Sequence, residues 1–166
     1  PEAIEKTAAK LFEFSDFNKV LAIEIPVSHA FMHLDTVFTM IDYDKFTIHP
    51  GILGPLKVFE LTRGKKEGDL NVKELETTLE KTLGKYTGSG RADLIQCAGG
   101  DKIAAEREQW NDGSNVLAGA PGVVYAYERN ITTNDFLTEN GITVITVPGD
   151  ELGRGRGGPR CMSCPV

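Results

Sequence analysis

The sequence predicts a mixed fold of strands and helices, of the α/β or α+β class. Several segments carry apolar residues at helical spacing, and short β-branched or apolar runs bounded by glycine or proline lie between them. The chain has 166 residues, of which 40% are hydrophobic, and this suits one compact domain with a buried core. No apolar run approaches the roughly 20 residues that a membrane-spanning helix needs, so we expect no membrane partner.

The first half of the chain predicts one helix followed by strands. Residues 2–14 place apolar side chains at helical spacing, which is typical of an amphipathic helix. A charged stretch with glycines at residues 62–69 predicts a surface loop. Short apolar runs predict strands at residues 18–26, 34–42, 45–50 and 56–64, with a tight turn between the second and the third.

In the second half, helices and strands alternate. Leu75, Leu79 and Leu83 recur at four-residue steps, so an amphipathic helix is predicted over residues 71–85, ending at Gly84. The remaining predicted elements, in order, are a strand (92–100), a helix (104–110), a hairpin turning at Pro121 and Gly122 (115–130), a helix closed by Gly141 (132–141) and a strand (142–148).

Charge and cysteine content narrow the classes of partner. The net charge of −6 argues against a nucleic-acid interface and favours small molecules, cationic ones included. Three cysteines, an odd number, without a basic start or an apolar leader, indicate reduced thiols in a cytoplasmic protein. Because the chain begins at Pro1 rather than at a methionine, we expect a fragment or a processed product.

The triplet His33-Leu34-Asp35 is a candidate for proton-transfer chemistry. Side chains two positions apart on an extended chain face the same side, so the imidazole of His33 and the carboxylate of Asp35 would project together. A titratable group beside a carboxylate suits proton transfer on a cationic substrate. Taken alone, the triplet favours a simpler interpretation, in which Asp35 caps a turn and His33 is a surface residue.

The glycine-rich tail is a candidate for nucleophilic chemistry at Cys161. Arg154, Arg156 and Arg160 supply positive charge that would stabilise a thiolate, and the glycines between them let backbone amides approach closely. The alternative is a loop whose glycines serve geometry alone. The residues of the tail do not decide between the two interpretations.

Cys161 and Cys164 also form a C-x-x-C pair. A structural zinc site commonly has four ligands, and neither Cys97 nor the three histidines stand at a partner spacing, so no metal site is predicted. Cys97 and Cys164 are instead predicted to be small core residues. Trp110, before an Asn-Asp-Gly turn, is predicted to anchor in the core.

Four segments together resemble the C-terminal portion of arginine deiminase. They occur in the family's order along essentially the whole chain: MHLDTVFTMID (32–42), WNDGSNVL (110–117), PGVVYAYERNITTN (121–134) and ELGRGRGGPRCMSCP (151–165). Agmatine deiminases, dimethylarginine hydrolases and amidinotransferases share the wider scaffold. The combination of RGRGGPRCMS with WNDG points to the arginine deiminase branch.

The resemblance implies a fold and an assembly. The family fold is an α/β propeller of ββαβ-type modules around a pseudo-fivefold axis, known as a pentein. Residues 1–166 would be a single C-terminal fragment of that catalytic domain, with about two modules present and the N-terminal modules absent. The implied partners are the N-terminal part of the same enzyme and further copies of it, as a homo-oligomer.

The resemblance also implies a reaction, the hydrolysis of L-arginine to L-citrulline and ammonia without a cofactor. Cys161 would attack the guanidinium carbon to form a covalent thiouronium intermediate, and His33 would act as general acid and then as base. Asp35 would hold guanidinium nitrogens. Arg156 would lie over the substrate, and the backbone of Gly155 would line the pocket.

Part of the implied site has no counterpart in the chain. A second guanidinium-binding aspartate, a glutamate that pairs with the histidine, and arginines for the substrate carboxylate are not matched by any residue here. We therefore expect little or no deiminase activity from the isolated chain. Two alternatives stay open: another guanidine-modifying enzyme, such as an agmatine deiminase or an amidinotransferase, and a non-catalytic C-x-x-C metal, redox or binding module.

Overall fold

The computed structural model describes residues 2–29, 31, 33–66, 68–155 and 157–164. Within these ranges the elements are, in chain order, α1 (Glu2–Phe14), β1 (Lys19–Ile23), β2 (Phe38–Met40), β3 (Lys45–Ile48), β4 (Val58–Arg63), β5 (Leu70–Leu75), α2 (Leu79–Thr87), β6 (Asp93–Gln96), α3 (Lys102–Gln109), β7 (Leu117–Ala120), β8 (Val123–Tyr127), α4 (Ile131–Glu139) and β9 (Thr143–Val147). No helix in the described ranges combines the length and the apolar character that crossing a bilayer requires.

The chain divides into two compact units, and unit 1 comprises Pro1–Ile25 and Pro55–Thr78. Its sheet has the strand order β1-β4-β5, and both pairs of neighbours are antiparallel. Ala8 and Phe12 of α1 lie one turn apart and are buried in one cluster with Leu61 of β4. Unit 1 is therefore a helix packed on a small sheet, and the apolar stripe of α1 supplies its core.

Unit 2 comprises Pro26–Gly54 and Leu79–Val166, and it holds two three-stranded sheets of the same topology. In the sheet β2-β3-β6 an antiparallel pair is followed by a parallel pair, and α2 precedes the third strand. The sheet β7-β8-β9 repeats this pairing, with α4 before its third strand. A parallel pair needs a crossover connection, and in both sheets it contains a helix.

Both sheets of unit 2 have the ββαβ order that the resemblance implied, and the predicted mixture of helices and small sheets is confirmed. Closure of such modules into a pseudo-fivefold propeller stays a prediction.

The sequence showed no linker, so the division into two units was not predicted. That residues 1–166 form one fragment of a larger catalytic domain also stays a prediction.

The core of unit 2 joins its two sheets. The buried apolar side chains come from both sheets, from α4 and from the residues that lead into the strands: Ile41, Ile95, Val116, Val124, Ala126, Leu137 and Ile142. Each fully buried Val, Leu or Ile side chain contributes about 1.5 to 3 kcal/mol to stability. The loops at the ends of these strands are thereby anchored to a shared core.

The helix predicted over residues 71–85 is wrong in its first half. Residues 70–75 form β5, which pairs with β4 along its whole length, and the helix begins only at Leu79. The leucine spacing is real, but the hairpin gives the backbone of residues 70–75 its hydrogen-bond partners on β4. The helix also continues beyond Gly84 to Thr87, before Gly88 adopts a φ of 84°.

Two predicted strands are shorter than expected, and two predicted core residues are exposed. The segment 34–42 begins with a 3-10 turn at Leu34–Thr36, and the segment 92–100 ends in another at Cys97–Gly100. Cys97 is buried, as predicted. Trp110, the residue that caps the C-terminus of α3, is 73% exposed and Cys164 is also exposed, so both lie outside the core cluster of the described residues.

Candidate functional site

The first contribution to the site is the turn that holds His33 and Asp35. The backbone of Thr36 donates to the His33 carbonyl at 3.3 Å, and its hydroxyl donates to the same oxygen at 2.7 Å. The hydroxyl of Thr39 donates to the Asp35 carbonyl at 3.1 Å, and the buried Gln109 amide donates to the Thr36 carbonyl at 3.0 Å. These bonds fold the triplet into a 3-10 turn at the start of β2, where an extended chain was predicted.

The second contribution is the loop that carries Cys161. Gly157, Gly158 and Pro159 are buried, and the hydroxyl of Tyr127 on β8 donates to the Gly157 carbonyl at 2.7 Å. A Cβ atom at Gly158 would overlap the side chain of Asn115, so this position requires glycine for close approach. The glycines thus let the loop pack closely against Asn115 and Tyr127, and Cys161 is exposed.

Asn115 joins the two contributions. Its side chain is fully buried, its Nδ2 atom donates to the Asp35 carbonyl at 3.0 Å, and its Oδ1 atom accepts from the backbone N–H of Cys161 at 3.1 Å. One amide therefore fixes the backbones of Asp35 and Cys161 at the same place. The sequence analysis missed this role, because turn chemistry alone accounts for an asparagine in WNDGSN.

The result is a compact group of three reactive side chains. The Sγ atom of Cys161 lies 3.5 Å from Oδ2 of Asp35, and the ligand atoms of His33, Asp35 and Cys161 all lie within 4.8 Å of one another. His33 and Cys161 are exposed and Asp35 is half-buried. The structure therefore brings together the three residues that the sequence singled out for catalysis, at a place that small molecules can reach.

The electrostatics at the thiol differ from the prediction. Removal from water raises the pKa of Cys161, the charge of Asp35 raises it further, and hydrogen bonds involving Gly158 and Asn115 oppose the rise. The sequence had suggested that arginines would stabilise the thiolate. Arg154 instead forms an ion pair with Glu151 at 3.2 Å. Removal from water and the neighbouring carboxylate together raise the pKa of Cys161, so the thiol form is favoured in the free chain.

Asp112 is a further acidic group near the site. Its backbone has a φ of 58°, and its N–H and C=O take part in the turn that leads to Asn115. Burial raises the pKa of the Asp112 carboxyl, the charge of Asp35 raises it further, and His33 opposes the rise. The sequence analysis gave Asp112 no role outside its turn. Its proximity to Asp35 depends on two segments that only the fold brings together.

The turn that carries Asp112 and Asn115 is anchored by Glu108. The Glu108 carbonyl accepts from the N–H groups of Asn111 and Gly113, at 3.0 and 2.8 Å. Its carboxylate, which is 1% exposed, accepts from the N–H groups of Thr132 and Thr133 at the start of α4, at 3.0 and 2.9 Å. A negative charge at a helix N-terminus is favourable, so Glu108 stabilises α4 and the site turn together.

The remaining predicted site residues are Gly155 and Arg156. Gly155 ends a 3-10 turn, Leu152–Gly155, and is exposed. Arg156 lies outside the described residues, so its predicted position over the substrate stays a prediction. The same holds for the role of the Gly155 backbone.

A family model described as arginine deiminase matches residues 1–166. The chain belongs to the arginine deiminase family. Among curated proteins, the arginine deiminase of Treponema denticola is 64% identical over 99% of this chain and 40% of its own length. Those of Clostridium perfringens and Lentilactobacillus hilgardii are 56% and 52% identical, with the same coverage of both chains. This arginine deiminase family member thus spans about 40% of the length of these relatives.

Solved structures give a consistent picture of the fold. A variant of the N-terminal domain of ArgZ with bound substrate, described as an arginine dihydrolase of cyanobacteria, matches with a TM-score of 0.56 and 13% identity. The match covers 97% of this chain and 46% of the other. The same domain with bound product matches with a TM-score of 0.54 and 15% identity, over 94% and 44% of the two chains. The C-terminal placement of this chain within the family stays a prediction.

Proposed function

We propose that this chain supplies the nucleophile and the proton-transfer group of an arginine deiminase, which converts L-arginine and water to L-citrulline and ammonia. The observation that carries the proposal is the meeting of Cys161, His33 and Asp35 within 4.8 Å in a member of this family. A thiol, an imidazole and a carboxylate are the groups that attack on a guanidinium carbon requires.

Substrate binding begins at Asp35. A carboxylate accepts hydrogen bonds from a planar guanidinium, and this fixes the orientation of the cation. Since Sγ of Cys161 lies 3.5 Å from the Asp35 carboxylate, a guanidinium held there has its carbon next to the sulfur. Such placement replaces a collision between two molecules by attack within one complex.

The bound cation also offsets the negative charge that disfavours the Cys161 thiolate in the free site. Asp35 contributes to the raised pKa of Cys161, and a guanidinium on that carboxylate offsets its charge. The thiol proton then passes to His33, which becomes an imidazolium, and the thiolate forms a bond to the guanidinium carbon. The substrate thus generates the nucleophile that attacks it.

The reaction continues through two proton transfers at His33. The imidazolium donates a proton to the departing nitrogen, and the carbon–nitrogen bond breaks. Ammonia is released, and a thiouronium remains bound to Cys161. The imidazole next takes a proton from water, and the hydroxide attacks the same carbon. The carbon–sulfur bond breaks, the new hydroxyl group gives up its proton to solvent, and the thiolate and neutral citrulline are released.

The chain alone supplies part of this site, since it spans about 40% of the length of its relatives. We propose that the rest of the enzyme adds the groups that grip the substrate carboxylate and pair with His33. Purified chain is then expected to release little or no citrulline from L-arginine, and addition of the rest of the enzyme is expected to restore turnover. Homo-oligomerisation and a cytoplasmic location stay predictions.

Substitution of the two tail cysteines tests the proposal in the whole enzyme. Cys161→Ser is expected to lower citrulline formation by about three orders of magnitude or more, whereas Cys164→Ser, three positions away, is expected to retain it. Comparable turnover by Cys161→Ser and the wild type would overturn the proposal. Faster release of product from agmatine than from arginine would favour another guanidine-modifying enzyme.

A further inference from the structure

His33, Asp35 and Cys161 offer three kinds of metal-binding atom at one place. Among the described residues they form a group in which a nitrogen, a carboxylate oxygen and a sulfur lie within 4.8 Å of one another. Nitrogen, oxygen and sulfur from histidine, carboxylate and cysteine are the ligands that Zn²⁺ takes in proteins. The thiolate and the imidazole disfavour Mg²⁺ and Ca²⁺, which prefer oxygen.

The distance between the sulfur and oxygen ligands agrees with tetrahedral coordination. Zinc–sulfur bonds of about 2.3 Å and zinc–oxygen bonds of about 2.0 Å place the two ligand atoms about 3.5 Å apart in a tetrahedron. The Sγ atom of Cys161 and Oδ2 of Asp35 are separated by 3.5 Å. A nitrogen ligand requires a similar spacing, and a ring nitrogen of His33 lies within 4.8 Å of both atoms on an exposed side chain.

The surroundings hold two of these ligands in place. The buried amide of Asn115 is bonded to the backbones of both Asp35 and Cys161, so the backbones that carry these two ligands are already fixed relative to each other when an ion binds. Outer groups that orient ligands in this way raise metal affinity.

We propose that His33, Asp35 and Cys161 form a three-ligand site for Zn²⁺, with its fourth position open to solvent. The site needs no substrate, so it is independent of the proposed reaction. It also differs from the C-x-x-C pair considered from the sequence, because Cys164 lies outside the group. A bound ion coordinates the thiolate and the carboxylate, so Zn²⁺ and a guanidinium cannot occupy the site at the same time.

Cobalt is a suitable probe because Co²⁺ occupies zinc sites and absorbs light. Titration of Co²⁺ into the reduced chain is expected to produce a thiolate-to-cobalt charge-transfer band that saturates at one ion per chain and disappears when Zn²⁺ is added. Cys161→Ser is expected to abolish the band, and Cys164→Ser to retain it. His33→Ala and Asp35→Asn are expected to weaken Zn²⁺ binding by about tenfold or more.

A second measurement requires no variant and therefore does not depend on how a substitution folds. Zn²⁺ is expected to slow alkylation of Cys161 by iodoacetamide, mapped by mass spectrometry, while Cys164 reacts as before and a chelator reverses the effect. A band that survives in Cys161→Ser, or equal protection of both cysteines, would overturn the proposal, as would no band at stoichiometric Co²⁺. Citrulline assays are run separately and without metal, so the two proposals fail independently.

Discussion

The thiol of Cys161 lies 3.5 Å from Oδ2 of Asp35, although 126 positions separate the two residues in the chain. Removal from water raises the pKa of Cys161, and the nearby carboxylate raises it further. The two groups are therefore mutually unfavourable when both are ionised, and a cation bound between them relieves the repulsion.

The first prediction concerns this repulsion. Asp35→Asn is expected to lower the pKa of Cys161 toward its ordinary value, because the substitution removes one of the two main causes of the rise while partial burial remains. Alkylation of Cys161 by iodoacetamide at neutral pH is then expected to be faster, since only the thiolate reacts. The rate is measured across pH by mass spectrometry, with Cys164 as the internal control. An identical pH profile in both proteins would contradict the assigned cause.

The second prediction concerns the amide that joins the site. Asn115→Ala removes two hydrogen bonds and leaves the Cys161 N–H and the Asp35 carbonyl without this partner. The expected loss is about 2 kcal/mol in the free energy of unfolding, measured by urea denaturation. Asn71→Ala is the matched control, because that exposed amide donates to the Arg63 carbonyl and to no other group among the described residues. Its loss is expected to cost much less. Equal stability of the two variants would show that Asn115 does not hold the site together.

The third prediction concerns the buried carboxylate of Glu108. Glu108→Ala is expected to cost about 2 to 3 kcal/mol, since it leaves the N-terminal amides of α4 unsatisfied. Glu108→Gln keeps one acceptor oxygen and is expected to cost less. Glu106→Ala, at an exposed position of the same helix, serves as the control. Urea denaturation measures the loss in the free energy of unfolding, which is expected to be largest for Glu108→Ala, smaller for Glu108→Gln and smallest for Glu106→Ala. Any other order argues against capping by Glu108.

The fourth prediction concerns pH. His49 is buried, its Nδ1 atom accepts from the N–H of Gly51 at 3.0 Å, and burial lowers its pKa despite an opposing effect of Glu106. A lowered pKa means that the unfolded chain binds the proton more readily, so stability is complete above about pH 6.5. Stability is expected to fall as the pH drops from that value through the folded pKa.

The corresponding experiment compares the wild type with His49→Asn, whose side-chain oxygen can accept from the same N–H group without titrating. The free energy of unfolding is measured at several values between about pH 7.5 and pH 5. The wild type is expected to lose stability over this range, and His49→Asn to lose less. Parallel curves for the two proteins would assign the pH dependence to other groups.

Much of the fold follows from local patterns in the sequence. The helical spacing in residues 2–14 predicts α1, and the Pro121-Gly122 turn predicts the β7–β8 hairpin, as the structure shows. The leucine spacing around residues 71–85 failed because strand pairing with β4, a partner distant in sequence, determines the structure of residues 70–75. Local periodicity does not reveal which segment supplies the hydrogen-bond partners.

The site, like the fold, was predictable from the sequence only in part. His33, Asp35 and Cys161 could be singled out from their residue types and from the resemblance, and the structure places them together. Asn115 and Asp112 could not, because their importance depends on contacts across long stretches of chain. The raised pKa of Cys161 was missed for the same reason, since the sequence displays the arginines beside the cysteine but neither its removal from water nor the carboxylate that the fold brings to it.

The repeated topology of unit 2 has an evolutionary consequence. Each ββαβ block carries a polar loop just ahead of its first strand, with Asp35 before β2 and Asn115 before β7, and the two loops touch. Diversification of such a scaffold can proceed by exchanging short loops while the sheets are inherited unchanged. An engineer could therefore graft new specificity onto these positions one block at a time.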